Sequence, residues 1–272
     1  MPHVPDIGLN QGSVMPQLGF GVWQIADDKA AAVVGTALQA GYRLIDTATI
    51  YRNESGVGAA LTRSGIERDQ LFITTKLWND DQGYDEALLA FDDSLARLKL
   101  DYVDLYLIHW PQPKRNRYLD SWRALEKLYE DGRARAIGVS NFTIPHLQRL
   151  LDECGIIPAV NQIELHPGLP QRALVEFHQK HGIVTEAYSP LARGALDNPV
   201  IQELAVRHDR TAAQIVLRWH MQRGIVAIPK SETPSRIAAN IDVFGFALDA
   251  ADMEAIGRLE TGTRIAPDPD AF

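Results

Sequence analysis

The run Val103-Asp104-Leu105-Tyr106-Leu107-Ile108-His109-Trp110 decides the fold. It is apolar nearly throughout, short, and closed by a polar and aromatic pair, which suits a parallel strand covered by helices on one face and packed side chains on the other. The same texture recurs at Tyr42 to Ala48 and at Leu71 to Trp78, and strand-like runs begin near residues 18, 42, 71, 103, 134, 159, 183 and 225. Helical text fills the intervals. Ala30, Val33, Val34, Ala37 and Leu38 share one face, with Asp27 as the expected N-cap and Gly41 beyond the C-terminus. Tyr84, Leu88, Phe91, Leu95 and Leu98 repeat the stripe, as do Trp122, Leu125 and Leu128 before Gly132, and Leu147, Leu150, Leu151 and Cys154 before Gly155.

Eight alternations predict an α/β fold of the closed (β/α)8 type, a TIM barrel, with an open doubly wound sheet as the alternative. The interval 191–225 holds two helices, Val200 to His208 and Thr211 to Arg223, and a further amphipathic stretch lies near Ala250 to Leu259, so two helices are additional to the barrel. Residues 7–17 carry a turn signal at Asn10-Gln11-Gly12 between short apolar flanks; this predicts an N-terminal β-hairpin placed to close the bottom of the barrel. With no Pro/Gly/Ser-rich linker or charge block in the chain, residues 1–272 read as a single domain.

Composition narrows the function classes. At 46% apolar and 23% charged residues the chain has ample material for a core, and disordered or fibrous classes are excluded. Asp and Glu outnumber Lys and Arg 35 to 27, giving a net charge of -8 and a pI near 5.5, so the global field repels nucleic acid and anionic membranes. One cysteine, Cys154, forms no internal disulfide, which fits a reducing compartment. Met1 to Asp6 lacks a basic segment leading into an apolar stretch, and no window approaches 18 uninterrupted apolar residues. A cytoplasmic protein is expected.

In such a barrel the active site is built at the C-terminal ends of the strands, and several of those ends are polar. Asp46 closes the second strand with Tyr51 in the loop beyond, Lys76 closes the third, and His109 the fourth. Each alone has a bland reading as a helix cap, a packed ring or a wet rim. Together they form a coherent chain. A phenol holds its proton at neutral pH and can donate it to a developing alkoxide; a lysine beside it stabilises the phenolate and lowers its pKa; a carboxylate keeps that lysine charged and aimed. His109 is suited to orient a carbonyl oxygen by hydrogen bonding. Since no side chain supplies hydride, a nicotinamide cofactor and carbonyl reduction are implied.

The glycine-rich fingerprint of an open-sheet dinucleotide fold is absent: Gly19-Phe20-Gly21 is followed by Val-Trp-Gln, and Gly56-Val57-Gly58 lies in helical text. Later strand ends offer the cofactor other partners. Ser140, Asn141 and Gln162 match a carboxamide, and Tyr188 could stack on a flat ring. Lys230, Ser231, Thr233 and Arg236 gather two cations and two hydroxyls near a helix N-terminus, a phosphate site in an acidic protein.

From about Gly19 to Leu259 the chain resembles the aldo-keto reductase family. Gly41-Tyr42-Arg43-Leu44-Ile45-Asp46-Thr47-Ala48 with Tyr51 and Asn53-Glu54, then Thr75-Lys76-Leu77-Trp78, Leu107-Ile108-His109-Trp110-Pro111 and Ile137-Gly138-Val139-Ser140-Asn141-Phe142 are similar to its successive signatures. Asn161-Gln162-Ile163-Glu164-Leu165-His166-Pro167, Ala187-Tyr188-Ser189-Pro190-Leu191 and Ile228-Pro229-Lys230-Ser231 complete the order. In detail it is most similar to the bacterial diketogluconate-reductase-like members. The resemblance implies a tetrad of Asp46, Tyr51, Lys76 and His109 with Tyr51 as general acid. It implies NADPH as cofactor, its carboxamide on Ser140, Asn141 and Gln162, its nicotinamide on Tyr188, its pyrophosphate along Ser189 and Leu191. The 2'-phosphate would fall to Lys230, Ser231, Thr233 and Arg236, and the adenine to Asn240, where Ala239 replaces a common glutamate. Trp23, Trp78 and Trp110, with His109, wall the substrate pocket in this reading, and a monomer is implied.

The three substrate loops of that family correspond to Pro111 to Arg117, Ala192 to Pro199 and Thr261 to Phe272. All are short, which predicts a shallow, open pocket and broad use of small aldehydes, dicarbonyls and keto-sugars, with Arg115 and Arg117 placed to attract anions. Rival readings are a Schiff-base lyase working through Lys76 or Lys230, a non-catalytic NADPH-binding regulatory barrel, and a metal-dependent hydrolase. The last lacks a His-x-His pair; His178-Gln179-Lys180-His181 is expected on a solvent-facing helix, and no metal is expected.

Overall fold

The structure, a computed structural model, describes residues 4–192 and 195–272. Strands β1 (Asp6–Gly8) and β2 (Val14–Pro16) pair antiparallel as the N-terminal hairpin. Eight strands follow: β3 (Gly19–Gly21), β4 (Leu44–Asp46), β5 (Phe72–Leu77), β6 (Leu105–Ile108), β7 (Ile137–Ser140), β8 (Val160–Glu164), β9 (Val184–Tyr188) and β10 (Val226–Ala227), each parallel to the next. The ring closes between its first and last members. Leu18 bridges Ala227, the Ala227 N–H donates to the Gln17 carbonyl at 3.1 Å, and the Gly21 N–H donates to that of Pro229 at 3.2 Å. The open sheet is thereby excluded, and the architecture is a nearly closed (β/α)8 barrel.

Helices occupy the intervals: α1 (Asp27–Ala40), α2 (Glu54–Arg63), α3 (Tyr84–Leu98), α4 (Tyr118–Glu130), α5 (Ile144–Glu153), α6 (Arg172–Lys180), α7 (Pro199–His208), α8 (Ala212–Gln222), α9 (Pro234–Ile241) and α10 (Ala250–Gly257). Of these, α7 and α10 are additional to the eight-fold alternation. None among the described residues is long and apolar enough to cross a membrane. Arg193 and Gly194, part of the substrate loop expected from Ala192 to Pro199, lie outside the described residues.

Side chains alternate along each strand, and the alternation sorts the core. Leu44, Phe72, Leu105, Leu107, Val160 and Val226 fill the barrel interior together with Leu9 and Met15 of the hairpin segment. Ile45, Ile73, Tyr106 and Val139, of opposite parity, pack outward under the helices. The hairpin is fastened to the floor by Gln11, whose amide bonds the Ile137 N–H and carbonyl at 2.9 and 3.2 Å, and by Asn10, which donates to the Pro158 carbonyl at 3.0 Å.

Two local expectations are corrected. Asp27 is the first residue of α1 rather than its N-cap, a position taken by Ala26; its carboxylate instead accepts the Gly56 N–H at 2.7 Å and ties α1 to α2. His178 does not face solvent. It is fully buried between Asn161 and Thr185, at 2.8 Å from each, and burial pushes its imidazole down to about 3.

Gly56 and Gly58 allow α2 to wedge between its neighbours. A Cβ at Gly56 would lie 2.3 Å from the Asp27 carbonyl oxygen, and one at Gly58 would lie 2.4 Å from that of Leu98, both backbone atoms that cannot swing away. Gly58→Ala is therefore expected to lower unfolding free energy by about 1–3 kcal/mol, the range for overpacking, measured by denaturant titration.

Candidate active site

Inward parity lifts a polar layer above the apolar one. Continuing up the strands from Leu44, Phe72, Leu107, Val160 and Val184 come Asp46, Lys76, His109, Gln162 and Glu186, all at the C-terminal mouth. The Lys76 ammonium, with no solvent exposure, binds Asp46 Oδ1 at 2.6 Å and the Thr47 carbonyl at 2.9 Å. Tyr51 stands in a single 3₁₀ turn after β4, Thr49–Tyr51, which Thr49 holds to β5 through the Lys76 carbonyl at 3.1 Å. Lys76 Nζ is 5.1 Å from the centre of the Tyr51 ring, and the His109 ring meets that ring edge-on at 5.7 Å. The four predicted tetrad residues are thus neighbours.

Their ionisation follows from burial and from one another. Burial works to lower Lys76, but Asp46 and Tyr51 outweigh it and hold the ammonium charged above its ordinary value. Burial pushes the Tyr51 phenol up; Lys76 pulls it down, as the sequence suggested, yet Asp46 pushes up again and the net direction is upward. Burial and the Lys76 charge press His109 well below its ordinary range, so its imidazole is neutral.

A cavity of about 550 Å³ opens above these groups. Trp23, Trp78 and Trp110 wall it near Tyr51 and His109, while Asn141, Gln162, Tyr188, Ser189 and Lys230 line the side toward β10. Asn141 is locked: its amide donates to the His109 carbonyl at 3.0 Å and to Ser140 Oγ at 3.1 Å, and accepts the Tyr188 hydroxyl at 2.8 Å. That bond commits the Tyr188 hydroxyl to Asn141. Ser140 is spent on the Gln162 carbonyl at 2.8 Å. Leu191 packs on the core and Asn240 is buried on α9; neither lines the cavity. Thr233 is the N-cap of α9, Arg236 is exposed on its first turns, and Ser231 accepts the Thr233 N–H at 3.1 Å. Lys230 is ion-paired with Glu232 at 2.7 Å.

Arg115 and Arg117 do not reach the cavity. They bind Asp80 and Glu86 at 2.8 and 2.9 Å.

The tail, expected as one of the substrate loops, reaches the cavity. Ile265, Ala266, Pro267 and Phe272 line the cavity, and the Phe272 ring lies 4.6 Å from that of Trp110. Fully buried Glu164, on β8, receives the N–H groups of Ile265 and Ala266 at 2.7 and 2.8 Å on its two oxygens, with His166 at 3.0 Å. Burial works to raise this carboxyl, but those three donors outweigh it and hold it below its ordinary value. Asn53 and Glu54, which the sequence showed only as part of a signature, hold the site from outside: Asn53 bonds Thr47 and the carbonyls of Val22 and Ile25, and Glu54 is buried against Thr75 and Arg97. Glu186 was missed: burial and Asp46 push its carboxyl up to about 8, while Gln162 and Lys76 pull the other way. An acid at interior parity in an apolar strand was the available signal.

Residues 17–261 match the Aldo/keto reductase family model. The chain belongs to the aldo-keto reductase family. It is 54% identical to methylglyoxal reductase DkgA of Yersinia pestis over 100% of this chain and 99% of that one. A crystal structure of an aldo/keto reductase from Brucella melitensis is 54% identical, with a TM-score of 0.94, covering 96% of this chain and 99% of that one. A point mutant of Gox0644 in complex with NADPH is 48% identical, with a TM-score of 0.96 over 99% of both chains.

Glu164→Gln removes the charge that grips two tail N–H groups and leaves one of them facing an amide nitrogen. The expected outcome is a rise of roughly tenfold in KM for carbonyl compounds, the scale of one charge-assisted hydrogen bond, read in steady-state kinetics.

Proposed function

We propose that this aldo-keto reductase is an NADPH-dependent carbonyl reductase acting on small aldehydes, α-dicarbonyls and keto-sugars, with Tyr51 as general acid. One observation carries the reading: a charged lysine, clamped by Asp46, stands against a protonated phenol and a neutral imidazole at the floor of an aromatic-walled cavity. A carbonyl oxygen lodged between Tyr51 and His109 accepts a hydrogen bond from each, and Tyr51 gives up its proton as negative charge develops there. Lys76 stabilises the phenolate left behind. Asp46 keeps the ammonium in place.

NADPH, when bound, supplies the hydride that side chains cannot. The residues fit it: the cavity runs unbroken from the tetrad past Tyr188 and Ser189 to Lys230, and Gln162 Oε1 meets it without a hydrogen-bond partner among the described residues. Gln162 and Asn141 would hold the carboxamide, Tyr188 the ring face, and Lys230, with Ser231, Thr233 and Arg236 close by, the 2'-phosphate. The Gox0644 complex with NADPH supports the cofactor, and the methylglyoxal reductases among the relatives support carbonyl reduction.

Aromatic walls from Trp23, Trp78, Trp110 and Phe272 favour flat or apolar carbonyl compounds. A Schiff-base lyase working through Lys76 is disfavoured because that lysine is buried and held charged, and Lys230 is held in an ion pair with Glu232.

Tyr51→Phe is expected to lower kcat for reduction by roughly 100- to 10,000-fold while NADPH still binds, monitored by nicotinamide absorbance and by fluorescence titration. Retained turnover would remove Tyr51 from its role. Lys230→Ala is expected to raise the Kd for NADPH about tenfold and to leave that for NADH within about twofold. Equal weakening of both would place the phosphate elsewhere.

A further inference from the structure

Beside the tetrad, in the same inward-facing layer, lies a second carboxyl that the proposed reaction does not use. Glu186, fully buried on β9, receives one hydrogen of the Gln162 amide on Oε2 at 2.8 Å; Asp46 receives the other on Oδ2, also at 2.8 Å. Both amide hydrogens are thereby committed downward, since an amide oxygen turned toward two acids would be repelled. Glu186 Oε1 is buried with no partner among the described residues. An ionised carboxylate would leave that oxygen bare, whereas a carboxylic acid can carry its proton there. The charged and titratable groups around Glu186 are Asp46 on β4, Lys76 on β5 and Tyr51 in the turn after β4; β8 presents the neutral Gln162 and β10 only Val226 and Ala227. Two acids and one ammonium share a closed interior, so one acid balances Lys76 and the other is stored neutral.

We infer that Glu186 is a positioning residue for the tetrad: through the shared Gln162 amide it holds Asp46 on Lys76, and by exchanging its proton for a charge it sets the pH range over which Tyr51 stays an acid. This rests on Tyr51 being the general acid. As pH rises and Glu186 ionises, a second negative charge enters the interior and makes the Tyr51 proton harder to remove. The phenol therefore remains protonated further into alkaline solution than Asp46 and Lys76 alone would allow. The proton that leaves Glu186 goes to solvent, and nothing in the redox step changes.

The test compares pH profiles of kcat/KM for NADPH-dependent carbonyl reduction in the parent, Glu186→Gln, Glu186→Asp and Tyr51→Phe. Glutamine copies the neutral acid, so Glu186→Gln is expected within about threefold of the parent near pH 6 but with its alkaline limb displaced downward by about one pH unit, the scale of a nearby charge. Glu186→Asp, which keeps an ionisable carboxyl, is expected to restore the limb. An infrared difference spectrum between neutral and alkaline pH should show loss of a protonated-carboxyl band in the parent and not in Glu186→Gln. Superimposable profiles, a uniform loss at every pH in Glu186→Gln, or a parent spectrum without that band would overturn the inference. Activity retained in Tyr51→Phe overturns the general-acid reading and the inference with it; an inactive Tyr51→Phe beside an unshifted Glu186→Gln profile overturns the inference alone.

Discussion

A lysine ammonium with no access to solvent, held by one carboxylate at 2.6 Å, is the constraint that the upper half of the barrel answers to. Taking such a charge out of water is tolerable only where its partners are fixed, and removing one partner from a buried pair typically costs about 3–5 kcal/mol. The fixing propagates outward. Lys76 takes Asp46 and the Thr47 carbonyl; Asp46 uses its second oxygen on Gln162; Gln162 uses its second hydrogen on Glu186. Each polar group answers the one before it, and the sequence of bonds ends at the bare Oε1 of Glu186. A stored proton ends that chain without an uncompensated buried charge.

Strand alternation makes this arrangement possible without any long loop. The residues that crowd the barrel floor, Leu44, Phe72, Leu107, Val160 and Val184, stand one or two inward steps below Asp46, Lys76, His109, Gln162 and Glu186 on the same strands. The hairpin seals the floor with Leu9 and Met15, so the polar layer rests on a dry, close-packed base and opens only at the mouth. Register between neighbours does the rest: pairing of Gln162 with Glu186 across β8 and β9 brings their side chains to one level.

Much of this was legible in the sequence, for reasons that differ residue by residue. The barrel followed from eight apolar runs with helical stripes between them, because both periods are direct imprints of burial. Asp46, Lys76 and His109 stood out by closing apolar strands. Glu164 and Glu186 did not, since an acid within a strand is recognisable as interior only once the register is known. His178 was misread as solvent-facing: its helix presents Leu174, Val175 and His178 to the strands, and a histidine satisfied by Asn161 and Thr185 has no signature in sequence. The tail from Thr261 to Phe272 was expected at the pocket from the resemblance alone; without periodicity of its own it gave no sign of the Phe272 contact with Trp110 or of the Glu164 grip on its backbone. Arg115 and Arg117 were misjudged because pairing with Asp80 and Glu86 depends on contacts between loops.

The two ends of the cavity are held on different terms, and the difference bears on selectivity. At the tetrad, strands, their ends and one short turn fix the groups, and burial makes each interaction strong. At the far end Lys230 stands at the surface, paired with Glu232, both about one-third to two-fifths exposed. A pair so placed contributes only about 0–1 kcal/mol, so a phosphate arriving there displaces it at little cost. A dinucleotide without that phosphate leaves Lys230 with Glu232 and gains nothing from it. Discrimination is a difference of affinities, and under the proposed assignment Glu232 narrows it slightly, because only the phosphate-bearing dinucleotide has to displace the pair.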